Sequence, residues 1–293
     1  MLLCYCGFLP QRFLITTNSH KNLIVKVISE DMAFIYDKMN NSKETRRMRQ
    51  HELTIELMNE ECLEAMKRIP DGSVDMILCD LPYGTTANQW DHVIPVVPLW
   101  NEYERIIKDN GAIVLFTQPP FNFKLAYPRL NLFRYEWIWV KENATGFLNA
   151  RRMPLKLTEN ILVFYKKLPT YNPQGVIDLE KPVMIDKLGI SSNYRNKQRT
   201  YLKKQKNFPK NVLAFARDKE KLHPTQKPVA LLEYLIKTYT NEGEVVLDNC
   251  MGSGSTGVAC MNTGRSFIGI ELDENYFKVA NERIEKARRD NLC

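Results

Sequence analysis

The period of apolar positions changes several times along the chain. Residues 54–58 alternate as a strand does. Residues 61–69 place Leu63, Met66 and Ile69 at helical spacing and end at the turn Pro70-Asp71-Gly72. Residues 74–79 form a short apolar run of the kind a buried strand needs, closed by Asp80-Leu81-Pro82-Tyr83-Gly84. A helix is expected around 97–108, a turn at Asp109-Asn110-Gly111, and a second buried strand over 112–117. Residues 135–140 and 160–165 read as further strands. From about 144 to 221 the periodicity weakens. It returns at 228–239, a helix with Val229, Leu232, Leu235, Ile236 and Tyr239 on one face and Pro228 suited to its first turn. A strand at 244–247, a glycine loop, a helix from Ser255, a strand at 266–270 and a helix at 274–287 follow. Strands alternating with helices predict an α/β layer built on a mostly parallel sheet.

Composition adds limits. The 293 residues are 44% hydrophobic, enough for one sizeable core. Residues 1–50 carry no usable motif. Their polar, basic end at 40–50 reads as a linker or a frayed helix, and Met48 is an alternative first residue. The seven cysteines are scattered without a C-x-x-C pair, which predicts free thiols in a reducing cytoplasm and no metal site. No apolar run reaches the ~20 residues of a membrane span. The apolar start lacks the basic residues of a signal peptide.

Two loops carry the candidate chemistry. The first is Val245-Val246-Leu247-Asp248-Asn249-Cys250-Met251-Gly252-Ser253-Gly254-Ser255-Thr256-Gly257, which reads as strand, glycine loop and helix. Gly252, Gly254 and Gly257 fit a dinucleotide fingerprint, so NAD is one reading, and a plain glycine turn is another. Asp248 argues against NAD. A carboxylate at the strand end would repel a pyrophosphate, but it suits a cofactor carrying an ammonium and a sulfonium. The next strand ends in Gly269-Ile270-Glu271, and an acid there can hold ribose hydroxyls.

The second loop, Asp80-Leu81-Pro82-Tyr83, should sit at the carboxyl edge of the sheet, where open α/β folds bind ligands. Taken alone, it could be an ordinary Pro-Gly turn. Its functional reading is an amine site. Asp80 and the Leu81 carbonyl can each accept one N–H of an aromatic amine. That draws the nitrogen toward tetrahedral geometry and stabilises its developing charge. Pro82 stiffens the loop, and Tyr83 offers a face for stacking.

Together these loops resemble those of the beta class of amino-group DNA methyltransferases, in which the catalytic loop precedes the cofactor loop. The resemblance extends to Glu61-Cys62-Leu63-Glu64-Ala65-Met66 and to His223-Pro224-Thr225-Gln226-Lys227-Pro228, and covers about residues 51–293. It implies a Rossmann-like, S-adenosylmethionine-dependent methyltransferase sheet with circularly permuted motif order. The catalytic half would be 51–143, an inserted target-recognition region 144–222, and the cofactor half 223–293. By the same resemblance Asp80 and Tyr83 hold a flipped base. Asp248, Gly252 and Gly254 bind the methionine part of the cofactor, and Glu271 its ribose. Glu61 lies near its adenine, and Thr225, Gln226 and Lys227 border the methionine moiety. Leu81 stands where the family usually has proline, Asn249 where proline or phenylalanine is usual, and Glu61 where aspartate is commoner. An aspartate at the first loop position is associated with N6 of adenine, leaving N4 of cytosine and a catalytically inactive DNA-binding relative as alternatives. A homodimer is an assembly the resemblance allows.

Charge locates the partner. Residues 144–221 hold 17 Lys and Arg against 6 Asp and Glu, an excess of 11, while the whole chain carries +7. Residues 193–210 contain seven basic residues and no acid, with Tyr194, Tyr201 and Phe208 interleaved. That mixture suits double-stranded DNA, with basic groups on phosphates and rings on exposed bases; the bland reading is a solvated insert. Arg195, Arg199, Lys203, Lys204 and Lys206 are the candidate contacts.

Overall fold

The computed structural model describes residues 14–17, 23–26, 53–84, 91–185, 200–220, 222–223 and 225–292. Residues 1–52 form one unit, in which β1 (Leu14–Thr17) pairs antiparallel with β2 (Leu23–Lys26). Residues 53–293 form the other, and everything below concerns it.

Its centre is an eight-stranded sheet. In chain order the strands are β3 (Ile55–Met58), β4 (Val74–Asp80), β5 (Ile107–Thr117), β6 (Phe133–Thr145), β7 (Lys156–Phe164), β10 (Val212–Ala214), β11 (Val245–Asp248) and β12 (Ser266–Ile270). Across the sheet they lie β3-β12-β11-β4-β5-β7-β6-β10. All neighbouring pairs are parallel except the two that involve β7. β8 (Ile177–Ile185) and β9 (Tyr201–Lys206) form a separate antiparallel hairpin.

Alternation along the central strands builds two cores. Met76 and Leu78 of β4, and Ala112, Val114 and Phe116 of β5, face one layer. That layer holds α4 (Val229–Tyr239), α5 (Ser255–Thr263) and α6 (Glu274–Leu292). Ile77 and Cys79 of β4, and Ile113 and Leu115 of β5, face the opposite layer. That layer holds α1 (Cys62–Met66), α2 (Val96–Ile106) and α3 (Phe121–Ala126). Period-two side chains on a sheet covered by helices on both faces give the three-layer α/β/α sandwich. The expected Rossmann-like fold is therefore present.

Three expectations shift in detail. The turn at 109–111 lies inside β5, where the β4–β5 register slips between Val74 and Met76. The helical face of α4 is carried by Leu231, Leu232, Leu235, Ile236 and Tyr239, while Val229 is only half-buried. The weakly periodic insert contains the end of β6 and all of β7, β8, β9 and β10. No helix among the described residues is long and apolar enough to cross a membrane.

Candidate active site

β4 and β11 are parallel neighbours, with Val246 beside Met76 and Leu247 beside Ile77. β4 continues through the sheet toward β5, while β11 leads the other way toward β12 and β3. Their junction is therefore the switch point where open sheets form a crevice. Asp80 ends one strand and Asp248 the other, at the same edge.

The Asp80 end is a row of buried charges. Continuing the alternation of Met76 and Leu78 puts Asp80 on the face covered by α4. On β7 the same rule puts Glu159 in line with Ile161 and Val163, and on β6 Lys141 in line with Trp137 and Trp139. Lys227, just ahead of α4, brings a second cation to this face. Its ammonium pairs with Asp80, lies 3.4 Å from Glu159 Oε2, and sits 5.2 Å from the centre of the Phe116 ring. Lys141 Nζ donates to Glu159 Oε1 at 3.2 Å. The order across the edge is Lys141, Glu159, Lys227, Asp80, with alternating sign. Burial pushes the Asp80 carboxyl above the usual aspartate range, with Lys227 pulling the other way. Glu159, between two ammonium groups, is held below its usual range against the cost of burial. Tyr83 donates its hydroxyl to Asp80 Oδ1 at 2.6 Å and packs its ring 5.4 Å from that of Phe121. Leu81 is buried in the opposite core and anchors the loop there. Gly84 N–H donates to Asp91 Oδ1 at 2.8 Å, fixing the loop's far side.

The Asp248 end is built differently. Asp248 is 3% exposed and accepts from neutral donors, the Thr256 hydroxyl at 2.6 Å and the Cys250 N–H at 3.1 Å. Burial raises its carboxyl to about 6. The glycine loop turns through Gly252 (φ 52°) and Gly254 (φ 78°), both in the left-handed region that a side chain disfavours. A Cβ on Gly254 would also lie 2.8 Å from that of Ala280, so α6 can pack against the loop only because this residue is glycine. Glu271, at the end of β12, accepts from the Gly252 N–H at 2.8 Å and the Asp273 N–H at 2.9 Å.

The remaining expected residues gather around these two ends. Glu61 caps α1, accepting from the Glu64 N–H at 3.0 Å. Thr225 is exposed, its hydroxyl 3.1 Å from His223 Nδ1. Gln226 accepts from the Ser253 hydroxyl at 3.5 Å, tying its segment to the glycine loop, and donates to Asp218 Oδ2 at 3.1 Å. Lys227 extends its ammonium to Asp80 and Glu159. Asn249 accepts from the buried Tyr103 hydroxyl at 2.6 Å, which gives this departure from the family pattern a bracing role between β11 and α2. Glu159 and Lys141 were missed, each one residue outside a strand boundary drawn from the sequence.

The expected nucleic-acid surface is partly visible. Arg195 and Arg199 lie outside the described residues. Lys203, Lys204 and Lys206 are exposed on β9, and alternation divides them between the hairpin's two faces. The β6–β7 turn adds a second candidate surface at the same sheet edge as Asp80. There Phe147 is 80% and Leu148 99% exposed, beside the exposed Arg151 and Arg152.

A three-layer α/β sandwich with a glycine loop, one buried acid and one half-buried acid at its switch point defines a class: an enzyme built to hold a nucleoside-type cofactor against a second substrate. The family is shown by comparison. A family model described as DNA methylase matches residues 74–282, and the chain belongs to that family. The chain is 28% identical over 248 residues to the DNA adenine methyltransferase YhdJ of Escherichia coli (strain K12), covering 79% of this chain and 83% of the relative. It is 28% identical over 243 residues to the type II methyltransferase M.HpaI of Haemophilus parainfluenzae, covering 76% and 72%. Among solved structures, the M1.HpyAVI–SAM complex superposes with a TM-score of 0.54 at 28% identity, covering 78% of this chain and all of that one. The cytosine-N4-specific PvuII DNA methyltransferase shares the fold, with a TM-score of 0.58 at 15% identity over 82% of this chain and 93% of that one.

Proposed function

We propose that this DNA methyltransferase transfers a methyl group from S-adenosylmethionine to N6 of adenine in double-stranded DNA, on a base rotated out of the helix. The observation that carries this reading is the juxtaposition of Asp80 and Asp248 on adjacent strands at one sheet edge. The residues fit the cofactor. Asp248 is a buried carboxylate that accepts from the neutral Thr256 hydroxyl and Cys250 N–H, so it can complement a ligand's positive charge. Glu271 stands one strand further along, where an acid can meet ribose hydroxyls. When bound, the cofactor supplies an electrophilic methyl group on a sulfonium.

The chain's own residues do the rest by positioning. Asp80 and the Leu81 carbonyl accept the two N–H groups of the base amine, and Asp80 stabilises the charge that builds on nitrogen. The nitrogen lone pair forms the new N–C bond while the S–C bonding pair stays on sulfur. The excess amine proton leaves toward Asp80 and then water. Pro82 and Tyr83 shape the wall against which the base stacks. Gly252 and Gly254, with Glu61, Thr225 and Gln226, frame the cofactor. Lys203, Lys204 and Lys206 neutralise phosphates, as do Arg195 and Arg199. Rotating a base out of the stack costs a few kcal/mol, offset by contacts in the pocket.

Asp80 at the first loop position, together with the adenine-specific name of the relative YhdJ, favours adenine over cytosine. Nucleoside analysis of DNA incubated with the enzyme and labelled cofactor tests this. N6-methyladenine is expected; N4-methylcytosine would overturn the base assignment, and no label in any DNA would overturn the activity.

A further inference from the structure

The buried charge row contains one acceptor left over. Among the described residues Glu159 Oε2 is buried and has no hydrogen-bond partner, although the Lys227 ammonium stands 3.4 Å away. Charge-assisted bonds of this kind close to about 2.7–2.9 Å, so a movement of about half an ångström would complete it. Meanwhile the same ammonium is bound to Asp80 and lies 3.4 Å from the Thr225 carbonyl oxygen.

That arrangement conflicts with methyl transfer as it stands. An ammonium on Asp80 occupies lone pairs that the amine needs, and it repels the positive charge developing on nitrogen. Lys227 must therefore give up Asp80 when the base arrives. It is 8% exposed, so retreat into water is closed to it. Among the described residues the anionic acceptor within reach besides Asp80 is Glu159 Oε2, at 3.4 Å.

We propose that Lys227 is a latch that passes from Asp80 to Glu159 as the amine enters, and that Glu159 is the positioning residue that receives it. The proposal rests on Asp80 holding the base amine. Four groups make up the row, two anionic and two cationic, so it is balanced while the site is empty. Moving the ammonium leaves Asp80 as the uncompensated anion at the moment a cation forms beside it. Lys141 stays on Oε1 throughout and keeps the glutamate ionised. The Phe116 ring provides the cation-tolerant surface over which the ammonium shifts.

The test is a double-mutant cycle on single-turnover methyl transfer to duplex DNA, with cofactor and DNA dissociation constants measured alongside. E159Q removes the receiving charge and keeps the shape. It should slow transfer about tenfold or more, a coupling of the size neighbouring charges show, while both dissociation constants stay within about twofold. E159D should recover part of the rate. In a K227M background E159Q should cause no further slowing, because there is no ammonium to receive. Wild-type rates in E159Q, or an equal factor in both backgrounds, would overturn the latch. So would a loss that falls on cofactor binding instead of on the rate. Should E159Q not fold, K227R asks the same question. A guanidinium broad enough to hold both carboxylates should slow transfer with cofactor affinity intact, and a wild-type rate there overturns the proposal. A wild-type enzyme that transfers no methyl to DNA would instead sink the reading of Asp80, and the latch with it.

Discussion

The ends of β4 and β11 are neighbours at one sheet edge, yet their acids are treated in opposite ways. Asp80 meets an ammonium supplied by the protein, while Asp248 is met by a hydroxyl and a backbone N–H. A buried carboxylate with an internal cation is balanced when the site is empty. One held by neutral donors remains short of positive charge, and burial raises it to about 6. The difference teaches which end awaits a cationic ligand and which must first release its own. Under the proposed function this contrast corresponds to the cofactor's positive charge at β11 and the amine at β4.

Three variants would break or sharpen that contrast. The largest effect is expected at Asp80. D80N should lower the methyl-transfer rate by about 100- to 1,000-fold, as loss of a preorganised electrostatic group does, with cofactor affinity unchanged in equilibrium titration. If D80N weakened cofactor binding and spared the rate, the two ends would have exchanged roles. At the other end D248N should do the reverse. Cofactor affinity should fall by about 10- to 100-fold, the range of a charge-assisted contact, with a smaller change in the rate at saturation.

The pH dependence of the Asp248 end follows from its carboxyl, which burial raises to about 6 from an ordinary 3.8. A carboxyl raised on folding stabilises the cofactor-free fold most at pH below about 4 and loses that contribution as pH rises through about 6. Cofactor binding requires the ionised form, so affinity should rise over the same window and level off above it. Calorimetric titration from pH 5 to 8 checks this, and D248N should flatten the profile. A wild-type affinity flat across that window would place the cofactor's charge elsewhere.

The smallest effect is expected far from both acids. Replacing Lys203, Lys204 and Lys206 by Gln should lower the slope of log affinity against log salt by about 3, near 0.9 per phosphate contact. Transfer rates at saturating DNA should hold. Because the three lysines divide between both faces of the hairpin, a fall of only about 1 or 2 would mean that one face alone meets DNA.

Much of this was legible in the sequence, for definite reasons. β4, β11 and β12 are mostly buried, largely apolar runs that lead into Asp80, Asp248 and Glu271, so period and polarity mark both the strand and its tip. Glu159 and Lys141 escaped because a strand read from apolar residues stops where charge begins. The apolar pattern starts β7 at Asn160 and ends β6 at Val140, each one residue short of the charged side chain, whereas the strands begin at Lys156 and end at Thr145. The alternation of Ile161 and Val163 would have put Glu159 on the buried face had the strand been extended. The partnership of Lys227 with Asp80 could not be read locally, since it joins positions 147 residues apart. Likewise, nothing short-range marks Asn249 as a partner of Tyr103, 146 residues away.

The central claim is that one crevice between β4 and β11 serves both acids in a single transfer. A crystal structure with S-adenosylhomocysteine and target duplex tests it most directly. The account predicts the cofactor's ammonium on the Asp248 side and the base amine on Asp80, with the sulfur aimed at the nitrogen across the gap that the methyl group spans. A cofactor bound away from the Gly252 turn, or a flipped base that leaves Asp80 with Lys227, would contradict it.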